Sequence, residues 1–167
     1  VRAWTDYTPK KLDRIIREAG RDEAAIRLFL ELYDKETGLA LRDMKSIWYC
    51  GGRDHAERVA EKLTDILGEN YALAVSGMTP KDDLERILDM HRAGEIPHLV
   101  NADLLIEGFD SPSTSLAMML RPTRSPIIAE QTGGRILRID PNNPNKIGYI
   151  VTFVDEDRLI FYESFSK

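Results

Sequence analysis

Apolar residues along this chain fall into two recurring patterns. Short continuous runs stand at 46–50 (Ser46-Ile47-Trp48-Tyr49-Cys50), 71–75, 98–101, 115–120 and 148–154. Runs of that length without polar alternation suit strands covered on both faces. Between them the apolar positions recur every three or four residues. Ala56, Val59, Ala60, Leu63, Ile66 and Leu67 form one such stripe before Gly68, as an amphipathic helix requires. Thr79-Pro80 opens a second, Asp82 and Asp83 favour the positive end of its dipole, Leu84, Ile87 and Leu88 form its inner face, and Gly94 ends it. Strand and helix alternate, which predicts an α/β domain with a mainly parallel central sheet flanked by helices.

The first part of the chain has a different character. Thr8 before Pro9 reads as a helix start and Gly20 as its stop, and a second helix is expected from about 22 to 33. The pattern divides the chain into a helical N-terminal segment or connector, or a cap on the sheet, at 1–45, an α/β domain at 46–156 and a C-terminal tail at 157–167. Asn142-Asn143-Pro144-Asn145 reads as a surface turn before the last strand.

Composition narrows the setting. With 167 residues, 43% of them hydrophobic, one core and one domain are expected. The single cysteine, Cys50, lies in an apolar run and is expected to be a buried structural thiol of an intracellular, cytoplasmic protein. No run approaches the length of a membrane span, so a soluble, monomeric piece of a longer protein is expected. The net charge of −5 leaves no overall positive field to hold nucleic acid. Any such contact must be local. The cationic stretch with few acids holds Arg121, Arg124, Arg135 and Arg138 against Glu130. His55, His91 and His98 lack ligand-like spacing with one another or with Cys50, and no metal site is expected.

In parallel sheets, ligands gather beyond the carboxyl ends of strands, so the loops there are the first place to seek chemistry. Gln131-Thr132-Gly133-Gly134-Arg135-Ile136-Leu137-Arg138 places two arginines three apart, on one face of a helical turn, each a planar fork of donors suited to phosphate. The stretch resembles motif VI of superfamily 2 helicases, Q-x-x-G-R-x-x-R. Residues 99–112, ending in Glu107-Gly108-Phe109-Asp110-Ser111-Pro112, resemble motif V. Taken alone they also read as an ordinary turn. Arg121-Pro122-Thr123-Arg124-Ser125 is similar to a segment that precedes motif VI in one branch of these proteins. Upstream, Trp48 to Ala56 resembles motif IV, and Ser76-Gly77-Met78-Thr79 the Ser/His-Gly-x-Thr segment after the following strand.

The resemblance implies the C-terminal, RecA-like, three-layer motor domain of a superfamily 2 DEAD/DEAH-like helicase, of the DNA repair and restriction-type branch. It implies that Arg138 is an arginine finger, with Arg135 beside it and Gln131 near the attacking water, and that Gly108 and Asp110 join these arginines in binding ATP. Nucleic-acid contacts are implied for Gly51, His55, Ser76, Gly77, Asn101, Thr123 and Arg124, with DNA favoured over RNA. For His55 a structural role stands beside the phosphate contact. Ile106 departs from the threonine that many relatives carry before Glu-Gly-Phe-Asp. No Gly-x-x-x-x-Gly-Lys-Ser/Thr occurs, so the cradle for ATP and Mg²⁺ is expected on an N-terminal motor domain of the same polypeptide, and the isolated chain is expected to be inactive. The alternative is a non-catalytic, helicase-like scaffold that binds nucleic acid or a partner protein.

Overall fold

Each apolar run becomes a strand. The computed structural model describes residues 20–102, 111–123, 140–154 and 158–165. β1 (Ser46–Cys50), β2 (Ala72–Ser76), β3 (His98–Ala102), β4 (Leu116–Thr123) and β5 (Ile147–Val154) lie parallel. β6 (Arg158–Phe165) runs antiparallel to β5 at one edge, giving the order β2-β3-β1-β4-β5-β6. Among the described residues three α-helices accompany the sheet: α1 (Arg21–Glu31), α2 (Arg53–Leu67) and α3 (Lys81–Arg92). The expected α/β domain with a mainly parallel sheet is what forms.

The pleat divides each continuous run between two layers. Trp48 and Cys50 of β1 face α1 and α2, packing with Phe29, Val59 and Leu63, while Ile47 and Tyr49 face the other way with Ile87 of α3. Register carries the division across the sheet. Trp48 lies opposite Val100 and Met118, and Ile47 opposite Leu99 and Ala117, so each row stays on one face. This arrangement explains why the strands read as unbroken apolar runs: both faces are interior.

In α2 the buried residues are Ala56, Val59, Ala60 and Leu63, with Leu67 partly buried against them. Ile66 leaves the expected stripe and is 53% exposed. At 100° per residue it stands about 70° from the centre of that stripe.

The described part of the N-terminal segment acts as the cap rather than a loose connector. Ala24, Ala25, Leu28 and Phe29 of α1 are fully buried on the sheet, and the Phe29 ring meets Trp48 edge-on at 5.0 Å. The helix ends at Glu31, two residues before its expected end, because the chain reverses there. Leu41 N–H donates to the Leu32 carbonyl, and Gly38, at φ +74°, makes the tight return. Asp34, buried under this turn, accepts from the Tyr149 hydroxyl at 2.6 Å.

The expected tail is corrected more sharply. Residues 158–165 pair with the whole length of β5. Leu159-Ile160-Phe161-Tyr162 has strong strand character, and the charged residues around it gave it the look of a polar terminus. The helix expected to start at Thr8-Pro9 lies outside the described residues.

Two imidazoles sit in the core. His98 Nδ1 accepts from Ser46 Oγ at 2.7 Å, that oxygen accepts from Trp48 Nε1 at 2.9 Å, and Phe29 lies edge-on to the ring at 4.9 Å. Burial pushes His98 down to about 4, as it does His91. Unfolded, both return to about 6.5, so the unfolded chain binds more protons between those values and stability falls as pH falls through that window. Urea titrations at pH 7 and pH 5 should therefore differ by on the order of 2 kcal/mol per histidine, with little change between pH 7 and 8. A second outcome concerns Cys50, which is buried and whose thiol burial pushes up to about 12. A thiol-reactive dye should label native protein at least about a hundredfold more slowly than urea-unfolded protein.

Candidate functional site

Parallel strands deliver all their carboxyl ends to one edge. Here that edge collects the loops after Cys50 and Ser76 and the end of β3 at Ala102. In the loop after β1, Gly51 N–H donates to His55 Nδ1 at 3.0 Å. Nδ1 is therefore the unprotonated nitrogen, and Nε2–H donates to Asp22 Oδ1 at 2.8 Å. Both ring nitrogens are engaged inside the chain, joining α1 to the start of α2. That is the geometry of the structural role weighed for His55. Gly51 itself is exposed beside it.

The loop after β2 closes on itself. Ser76 N–H donates to Thr79 Oγ1 at 3.0 Å, Met78 N–H to Ser76 Oγ at 3.1 Å, and Thr79 N–H to the Ser76 carbonyl at 3.1 Å. Such reciprocal bonds are the work of short hydroxyl side chains at turns. They leave the Gly77 amide without a partner among the described residues and push the Met78 side chain outward to 73% exposure. α3 begins just beyond, with Asp82 and Asp83 in its first turn, so its positive end already has carboxylates beside it.

Between the first turns of α2 and the end of β2 with its loop lies a cavity of about 230 Å³. Arg53 and Glu57 of α2 form one wall, and Ala74, Ser76, Met78 and Thr79 the other. Arg53 and Glu57 pair at 3.1 Å with both side chains more than half exposed, a contact weak enough to exchange for an incoming anion. Arg53 lies in the motif IV segment but carries no side-chain signal that separates it from any helix-start arginine. Its role emerges only when β2 is set beside α2.

Asn101 lies inside β3, 1% exposed and engaged within the chain. It shares a row with Tyr49 and Val75, on the α3 face. The Tyr49 hydroxyl is buried there without a hydrogen-bond partner among the described residues, and burial pushes its pKa up. Thr123 closes β4 opposite Val154. Gly108, Asp110, Arg124, Gln131, Arg135 and Arg138 lie outside the described residues.

Residues 111–115 lie at the opposite, amino edge. Ser115 and Leu116 N–H both donate to the Lys45 carbonyl, just ahead of β1, and Ser111 belongs to the turn that precedes them. A buried polar cluster of Ser111, Thr114 and His91 stands there. One sign of it was present in the sequence: His91 follows Leu84, Ile87 and Leu88 at helical spacing, a polar residue in an apolar slot.

The family of helicase conserved C-terminal domains matches residues 24–140. The endonuclease subunit of the type I restriction enzyme EcoKI from Escherichia coli K12 is 29% identical over 107 residues, which are 58% of this chain and 9% of that protein. A 51.5 kDa protein of a Lactococcus phage (isolate 7-9) is 36% identical over 67 residues, 40% of this chain and 15% of that one. The chain thus spans a small fraction of the curated relatives it matches. Among solved structures, a DEAD box protein from the hyperthermophile Methanococcus jannaschii superposes with a TM-score of 0.51 at 19% identity, over 66% of this chain and 27% of that chain. The parallel sheet, the flanking helices and the match across most of the domain lead to one conclusion: this chain belongs to the family of helicase conserved C-terminal domains.

Proposed function

We propose that this chain is the C-terminal half of an ATP-dependent helicase or translocase and supplies arginine fingers to ATP held by an N-terminal motor domain. The observation that carries the reading is order. Segments resembling motifs IV, V and VI follow one another in the family's sequence, and the described loops among them share the carboxyl edge of one parallel sheet. Phosphoryl transfer needs positive charge where the γ-phosphate charge redistributes, and a finger from a neighbouring domain provides it. Arg138 takes that role, with Arg135 beside it and Gln131 orienting water. Gly108 and Asp110 contact the nucleotide, and Mg²⁺ is held by the other domain.

The track is a nucleic-acid backbone crossing the carboxyl edge. Arg53, the Gly77 amide and the glycines after β1 offer it a few local contacts, which suits a domain of net charge −5. Because these groups address phosphate rather than base edges, the grip is tolerant of sequence. Kinship with a restriction-enzyme endonuclease subunit supports DNA over RNA.

Turnover of ATP by the full-length protein, with and without single- and double-stranded DNA and RNA, tests the reading. DNA is expected to stimulate it, and Arg138→Ala to lower the stimulated rate by about a thousandfold. An Arg138→Ala protein with normal turnover would sink the finger assignment. Arg53→Ala is expected to weaken DNA binding a few-fold and to lower the salt dependence of log Kd by about one. An unchanged salt slope would remove Arg53 from the track.

A further inference from the structure

Among the described residues the first turn of α1 reaches α2 by two ionisable contacts, and they differ in kind. Glu23 pairs with Lys62 between side chains that are both well exposed, a contact that solvent screens. Asp22 Oδ1 accepts from His55 Nε2 at 2.8 Å, and both of these side chains are less than a fifth exposed. The helix that carries Asp22 is a firm support. Ala24, Ala25, Leu28 and Phe29 hold it on the sheet with no exposed surface.

The loop on the other side of His55 has few means of fixing itself. Gly51 and Gly52 are consecutive residues of the type with the widest range of backbone conformations. Gly52 occupies the cap position of α2 without a side chain to fill it, and its φ of 176° is extended backbone. A side chain on Gly52 would meet no described atom within 4 Å, so the outer side of the loop is open. On the inner side the Gly51 amide is tied to His55 Nδ1 at 3.0 Å. Arg53, the next residue, enters the wall of the cavity. The tie requires a bare Nδ1. A neutral imidazole carries its hydrogen on either nitrogen, and an Nδ1–H would oppose the Gly51 N–H. By accepting from Nε2–H, Asp22 selects the tautomer that can hold the loop and fixes the plane of the ring.

We propose that Asp22 is a positioning residue for the nucleic-acid track: acting through His55, it sets the Gly51-Gly52 backbone and the start of α2 at Arg53 in the arrangement that meets the phosphates. The inference rests on the track role proposed above for Arg53 and these glycines. Hydrogen bonds to phosphate weaken steeply with distance and angle, so a loop displaced by an ångström forfeits them. Asp22 lies outside every motif-like segment of the sequence, and through it the cap helix α1 takes part in the grip.

Asp22→Leu tests it in the full-length protein, since leucine keeps comparable bulk and removes the acceptor. The Kd for a single-stranded DNA oligonucleotide of mixed sequence is expected to rise about threefold or more, while ATP turnover at saturating DNA stays within about twofold. Asp22→Asn, whose carbonyl oxygen still accepts from Nε2–H, is expected to bring the Kd back to within about twofold of wild type. Should Asp22→Leu fail to fold, Asp22→Ala carries the same expectation. A folded Asp22→Leu protein with wild-type Kd overturns the proposal, and so does an Asp22→Asn protein that binds as weakly as Asp22→Leu. Parallel loss of DNA binding and ATP turnover that follows the unfolding temperature overturns it as well. Wild-type protein that binds no DNA would overturn the track reading and this role with it; wild type that binds, beside an unmoved variant, overturns the positioning role alone.

Discussion

A sheet of parallel strands has no face that can be left in water, and that constraint governs the rest of this molecule. The connections between parallel neighbours must cross from one edge to the other, and helices in those crossings cover the apolar faces. α1 and α2 shield the row that includes Trp48, and α3 shields the row that includes Ile47. Because the crossings all run in the same sense relative to the strands, the loops that enter helices collect on one edge. The site at that edge is a by-product of having to bury both faces. The antiparallel β6 at the end of the order is the one described strand free of this requirement.

Burying both faces also draws polar groups inward, and the two edges handle them differently. At the carboxyl edge the serine and threonine of the β2 loop bond to their own backbone, and the polar surface between them stays open to solvent around Arg53 and Glu57. At the amino edge the polar side chains are sealed. His91, His98, Ser46, Ser111 and Thr114 bond to one another, to Trp48 or to carbonyl groups, and none is exposed by more than a few per cent. Sealed polar contacts are directional and therefore specify position, whereas open ones can exchange partners.

Much of the fold was legible in the sequence because an unbroken apolar run has few other uses. β1 occupies the residues of its run, and β2, β3 and β5 lie within a residue of theirs. β6 was hidden because Asp155-Glu156-Asp157 and Glu163 dilute its apolar character. Ile66 was misplaced because a stripe of six positions tolerates one that lies at its margin. In the site, adjacency to strand ends located the Gly51 and Ser76 loops, and the family pattern supplied their meaning. What could not be read was how hydroxyls and imidazoles pair. Asp22 with His55, and Thr114 with His91, are 33 and 23 positions apart, and no local periodicity joins them.

Under the proposed function, the self-bonded loop after β2 bears on how a nucleic-acid track would be handled. A loop that is disordered until it binds loses conformational freedom on every encounter, and the tightness of its final contacts must offset that loss. Here the ordering is complete beforehand, with the Met78 and Thr79 amides already engaged at home. Each contact with the track can then be individually feeble and still productive, and it can be released as readily as it is made. A surface built this way favours many brief grips over one long hold, which is the property a stepping machine requires of the part that must let go.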